Sequence, residues 1–208
     1  TLGKLWGGTA VFPQLGAKVA SQGKVSGSEH PSTLSTMNTL AGLLRQRGNY
    51  SEAEPLYQDS LQGRRRVLGD DHADTLTSLS NMGLFLKSQG KFAEAFDYYS
   101  EALEGRRRIL GDDHRATLTT LNNLAFLLKG QGNRSESLPL FQEVLEKRTQ
   151  TLGTDHPTTL ISIYNLGGIF LDMENWIAAE QSLRRALEGQ IQRLGVDHLD
   201  TLTTMNDL

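Results

Sequence analysis

All five histidines of the chain, His30, His72, His114, His156 and His198, follow one another at intervals of 42 residues. Imidazole binds metals and moves protons, so the first question is whether this series is a ligand set. Successive repeats of helices lie on the order of 10 Å apart, whereas metal ligands must converge to within ~2.0–2.2 Å of an ion. The histidines therefore cannot share a metal, and each is expected to pack or hydrogen-bond in the loop between repeats. The triplets Arg64-Arg65-Arg66 and Arg106-Arg107-Arg108 could meet phosphates. Each precedes an Asp-Asp pair and follows an acid-bearing segment, so the expected role is a solvated, locally neutralised helix end. No catalytic residue is assigned. There is no cysteine, and no Gly-x-Ser-x-Gly, phosphate loop, dinucleotide fingerprint or His-Glu-x-x-His. Catalysis needs unlike groups converging on one pocket, whereas this chain repeats the same few groups, so neither an enzyme nor a cofactor is expected.

The elements that carry these residues are set by the same period. Thr33-Leu34, Thr75-Leu76, Thr117-Leu118, Thr159-Leu160 and Thr201-Leu202 recur in phase with Gly27, Gly69, Gly111, Gly153 and Gly195. The repeats run 29–70, 71–112, 113–154 and 155–196, with a partial repeat at 197–208. Apolar residues within a unit follow helical spacing, Leu76, Leu79, Met82 and Leu86 and then Ala95, Tyr99, Ala102 and Leu103. Each unit is thus two helices separated by a Gly-containing turn such as Gly48-Asn49 or Gly132-Asn133. In the stretch Leu-Gly-Asp-Asp-His the Gly is expected to close one helix and the Asp to cap the next, with Pro31 and Pro157 in first turns. The fold class is all-α, an α-α superhelix of antiparallel hairpins. Residues 1–28 break the pattern: glycine-rich, with three lysines and no acid, they read as a poorly ordered lead, in which Trp6 and Phe12 could dock as a cap on the first repeat. The opening Thr and the broken fifth repeat read as a fragment of a longer protein.

A period of 42 fits either the armadillo and HEAT class or a lengthened tetratricopeptide unit. Small residues stand 12 apart in every unit, Ala41 and Ala53, Gly83 and Ala95, Ala125 and Ser137, Gly167 and Ala179. Tyr57, Tyr99, Phe141 and Leu183 follow four residues after the second of each pair. That spacing is tetratricopeptide. With Leu118 to Leu128, Glu52 to Tyr57 and Arg64 to His72, the chain resembles the 42-residue tetratricopeptide repeats of kinesin light chain and of nephrocystin-3-like scaffold proteins. The resemblance implies a non-catalytic, cytoplasmic protein-interaction module that holds extended cargo segments bearing acids and an aromatic. It also implies coupling to kinesin heavy chain or cargo through regions beyond this chain. An alternative is a regulatory or sensing array attached to a nucleotide-binding switch or kinase. The carboxylate clamp of shorter tetratricopeptide domains is disfavoured, because it needs a Lys where this chain has Asn38 and an Asn where it has Gly42.

At ~100° per residue, Asn38, Gly42 and Arg45 share a stripe turned away from the packing stripe of the first helix. Its equivalents are Ser80, Leu84 and Lys87, then Asn122, Phe126 and Lys129, then Tyr164, Gly168 and Leu171, and a second column holds Asn81, Asn123 and Asn165. Asparagine both donates to and accepts from a peptide backbone, and Arg45, Lys87 and Lys129 would attract acids. The peptide-binding groove is therefore placed at Asn38, Arg45, Asn81, Lys87, Asn122, Asn123, Phe126, Lys129, Tyr164 and Asn165. Two simpler roles compete with it: cations suit helix C-termini, and asparagines can bond between repeats. A net charge of -3 gives no reason to expect nucleic-acid binding, and apolar runs of a few residues exclude membrane insertion by a helix. The sequons at Asn49 and Asn133 lie in hairpin turns and are expected to be unused.

Overall fold

The computed structural model describes residue 27 and residues 29–208, so the expectations for the lead, with Trp6 and Phe12, lie outside the described residues. Among the described residues there are nine helices and no strand: α1 (Pro31–Gln46), α2 (Tyr50–Leu68), α3 (Ala73–Ser88), α4 (Phe92–Leu110), α5 (Arg115–Gly130), α6 (Arg134–Leu152), α7 (Pro157–Asp172), α8 (Trp176–Leu194) and α9 (Leu199–Asn206). They divide into two compact units, one ending at Ile109 and one beginning at Leu110.

Each first helix is closed by the same turn. After α1, the Asn49 amide donates to Leu44 O at 2.9 Å and the Gly48 amide to Arg45 O at 3.0 Å, the paired bonds of a Schellman motif. That turn needs a left-handed residue, and Gly48, Gly90 and Gly132 supply it with φ of 78, 75 and 82°. The turn after α7 makes the same two bonds with Glu174 at the equivalent place, at φ 58°.

The histidine ladder caps helices. His30, His72, His114, His156 and His198 are the N-cap residues of α1, α3, α5, α7 and α9, each accepting at Nδ1 from the backbone amide two residues on, at 3.1–3.2 Å. This corrects the assignment of capping to aspartate. Asp71, Asp113 and Asp155 instead pair with Arg108, Lys147 and Arg193. The in-phase threonines complete the turn: Thr75, Thr117 and Thr201 are buried and donate to Gly69 O, Gly111 O and Gly195 O at 2.7–2.8 Å.

Inside each hairpin, the small residues foreseen from spacing are buried, with Ala41, Ala53, Ala95, Ala125, Ser137 and Ala179 all at 0% exposure. In the second helices a further glycine admits a leucine of the first helix. A Cβ at Gly63 would stand 2.6 Å from Leu34 Cδ2, one at Gly105 2.4 Å from Leu76 Cδ2, and one at Gly189 2.4 Å from Leu160 Cδ2. In the third repeat this position is Lys147.

The arginine triplets also depart from expectation. Arg64, Arg106 and Arg148 are buried, at 4, 7 and 7% exposure, and do not form a solvated helix end. Arg64 Nη1 donates to Asp74 O at 3.0 Å and Ser78 Oγ at 2.8 Å, and its Nη2 reaches back to Ser35 Oγ at 3.0 Å. Burial pulls its pKa down and Asp74 partly restores it. A buried cation costs several kcal/mol unless its donors are satisfied, so removing a partner is more damaging than the exposed ion pairs of Arg65 and Arg108 would suggest.

Candidate functional site

In the first unit the predicted residues sit on α1 and α3, all half-buried. Arg45 lies in the last turn of α1 and Lys87 in the last turn of α3, where the negative end of the helix dipole favours a cation. Burial lowers the Lys87 pKa. The Arg45 guanidinium stands against the hydroxyl of Tyr57. Burial pushes the pKa of that phenol up, and Arg45 opposes the rise by hydrogen bond and charge. Behind it, the fully buried Tyr99 feels the same cation, although burial dominates and raises its pKa strongly.

Two of these groups are not satisfied within the protein. Asn38 Oδ1 and Arg45 Nε are both buried without a hydrogen-bond partner, and so is the Tyr99 hydroxyl. A buried unsatisfied donor or acceptor costs on the order of 1–3 kcal/mol, so such atoms are uncommon and call for an explanation. Here an acceptor and a donor lie seven residues apart, about two turns, on one stripe of α1.

In the second unit the same columns are largely occupied by one another. Asn165, at 8% exposure, donates its amide to Asn122 Oδ1 at 3.3 Å. Lys129 Nζ donates to Gly168 O at 3.0 Å and pairs with Asp172 at 3.3 Å. The Tyr164 hydroxyl donates to Asp207 Oδ2 at 2.6 Å, and that bond, with burial, pushes its pKa up to about 12. Phe126 packs edge-on against Phe141 at 5.0 Å between centroids, within a cluster that includes Ala125 and Ile169. Asn123 is half-buried beside these groups. The first helices of adjacent repeats are therefore laced together in this unit by bonds at i to i+43, one residue off the repeat.

Reading columns at a period of 42 missed these partners because neighbouring helices meet one residue out of phase. An offset search would have found Asp172 for Lys129 and Asp207 for Tyr164. Tyr57 and Tyr99 were visible only as packing residues. Their hydroxyls reach the cation stripe because the helices approach closely at small residues: a Cβ at Gly42 would stand 3.6 Å from Tyr57 Oη. Among the described residues no group of three or more His, Asp or Glu could hold a metal, and no helix is long and apolar enough to cross a membrane.

The comparisons with known proteins agree with this architecture. The nearly identical TPR-like repeats, of kinesin light chain type, from Podosopora anserina superpose with a TM-score of 0.73 at 24% identity, covering 86% of this chain and 85% of that one. A single-site variant of the same protein gives 0.74 at 24%. BtubC (BKLC) from P. vanneervenii gives 0.81 at 20% identity, over 97% of this chain and 82% of that one. At these identities the likeness concerns the fold alone. No curated protein matches the sequence significantly. The tetratricopeptide repeat family matches over residues 74–146 and 118–191, and a second form of the repeat matches over 33–74. With most of its length accounted for in this way, the chain belongs to the tetratricopeptide repeat family.

Proposed function

We propose that this chain is a non-catalytic protein-interaction module that binds extended peptide segments carrying acidic and aromatic side chains along its first helices. The first unit, with Asn38, Arg45, Asn81 and Lys87, is the principal contact. The carrying observation is the pair of buried, unsatisfied atoms Asn38 Oδ1 and Arg45 Nε on the predicted stripe. Once these side chains turn outward, a peptide backbone or a carboxylate can supply what each lacks, and in a partly dehydrated setting a charge-assisted bond to Arg45 is stronger than its counterpart in water. The second-unit residues Asn122, Asn123, Phe126, Lys129, Tyr164 and Asn165 form a pre-bonded face. Before Lys129 could bind an acid it would have to leave Asp172, so its substitution should matter less than that of Arg45 or Lys87. Kinesin light chain-like coupling of cargo is the use that the sequence resemblance suggests.

The reading is tested with a fluorescent extended peptide that alternates acids around one tryptophan, using anisotropy. Arg45→Gln together with Lys87→Gln should weaken binding at least tenfold while circular dichroism retains the helicity, and Lys129→Gln alone should change affinity far less. Equal affinity in the Arg45, Lys87 double variant would overturn the assignment.

A further inference from the structure

The three buried arginines occupy equivalent places in successive repeats, and one of them lacks a bond that the others make. Arg64 Nη2 reaches Ser35 and Arg106 Nη2 reaches Thr77, in each case a hydroxyl on the first helix of the same repeat. Arg148 Nη1 donates to Ser162 Oγ at 2.8 Å and Thr158 O at 3.4 Å, but its Nη2 makes no such return bond to Thr119, the matching residue. Arg148 as a whole residue is buried, at 7% exposure. Burial lowers its pKa with no carboxylate to compensate.

Between Arg148 and Thr119 there is a pocket of about 400 Å³, formed by the start of α5, the end of α6 and the start of α7. Its walls include Arg115, Leu118, Thr119, Arg148, Leu152 and His156. The opening coincides with the one complete repeat in which the close-approach glycine is replaced, by Lys147. Elsewhere the first-helix leucine presses to within 2.4–2.6 Å of where a Cβ would be. A lysine has that Cβ, so Leu118 cannot take the same seat against α6.

We propose that this pocket is an oxyanion site that best fits a phosphate monoester, held by Arg148 Nη2, the Arg115 guanidinium and the Nε2–H of His156. His156 Nδ1 accepts from the Thr158 amide at 3.2 Å, so the proton of the neutral ring is on Nε2, which serves as a donor. Arg115 is exposed and forms no ion pair among the described residues. Asp113, the acid at the rim, is held by Lys147 at 2.8 Å, which reduces its repulsion of an anion. Two guanidinia and one N–H suit a group of about -1.5 to -2 charge with three acceptor oxygens. The volume exceeds that of a bare inorganic anion, and Leu118 and Leu152 give an apolar flank for the carbon body of an ester. The site is independent of the peptide-binding stripe.

The test is an amide chemical-shift titration of the whole chain at fixed ionic strength. The probes are inorganic phosphate, phenyl phosphate, and a short phosphotyrosine peptide with its unphosphorylated twin. Saturable shifts at Arg115, Thr119 and Thr158 are expected with the phosphorylated probes, tighter for phenyl phosphate than for inorganic phosphate, and absent with the twin. Arg115→Ala, a surface change, should weaken binding about tenfold or more, the equivalent of one charge-assisted hydrogen bond. Lys147→Gly, which restores the glycine of the other repeats, should abolish it. A peptide that binds more tightly than phenyl phosphate would identify a phosphorylated side chain as the source, and the reverse order a free small ester. Linear, unsaturable shifts, or shifts unchanged in both variants, would overturn the proposal.

Discussion

Glu174 stands at the position of the hairpin turn that three other repeats give to glycine, and it adopts the same left-handed backbone, at φ 58°. Replacing it by glycine should stabilise the protein. A non-glycine residue in the left-handed region costs roughly 1–2 kcal/mol, while glycine loses an extra 0.4–1 kcal/mol or so of unfolded-chain entropy on folding. The net gain expected for Glu174→Gly is about 0.5–1 kcal/mol. Its carboxylate contributes little to this balance, because it lies between the negative end of α7 and the positive end of α8. For a chain of this size 1 kcal/mol corresponds to about 2–4 °C in melting temperature. Thermal and urea unfolding by circular dichroism should therefore show a small upward shift, with Glu174→Asn in between, since asparagine tolerates the conformation better than glutamate. Gly132→Ala, at φ 82° in the preceding repeat, should move stability the other way by about 1 kcal/mol. If Glu174→Gly left the midpoint unchanged or lowered it, the assignment of backbone strain to this turn would be refuted.

Three further outcomes follow from named contacts. His114→Ala should cost about 1 kcal/mol through the lost cap on α5, and His114→Asn should recover most of it in urea unfolding. Gly189→Ala should destabilise the protein by up to about 2 kcal/mol, because crowding against Leu160 costs roughly 1–3 kcal/mol and outweighs the ~1 kcal/mol that alanine gains as a helix former. A gain on unfolding would show that Leu160 can give way. Tyr164 holds its proton in the fold, so its contribution to stability is full below pH ~10, the usual tyrosine value, and is lost as pH rises through about 12. The difference in phenolate absorbance between wild type and Tyr164→Phe should place the transition there, and Asp207→Asn should bring it back toward ordinary tyrosine.

Much of the fold was legible in the sequence because a solenoid repeats its own constraints. Ala53, Ala95 and Ala179 had to be small for helices to meet, and the period exposed them. Local chemistry was harder to read. Histidine is not among the preferred N-cap residues, so the acids beside it drew the capping assignment, although its Nδ1 lies within reach of the same amide. Arg64 and Arg148 look like surface charge in a polar run, and only the helix packing shows them turned inward onto Ser78 and Ser162. Lys129 and Asn165 were assigned to the groove columns by position alone, and their bonds to Asp172 and Asn122 depend on a one-residue offset between adjacent helices that a strict 42-residue register conceals.

In the proposed function a peptide completes the stripe of Asn38 and Arg45. Amide and side-chain chemical shifts of the first unit, followed during titration with the acidic tryptophan peptide, test it most directly. Saturable changes centred on the Asn38 side-chain amide and the Arg45 Nε–H are expected, lost in Arg45→Gln. Saturable binding that leaves both groups unmoved would contradict it.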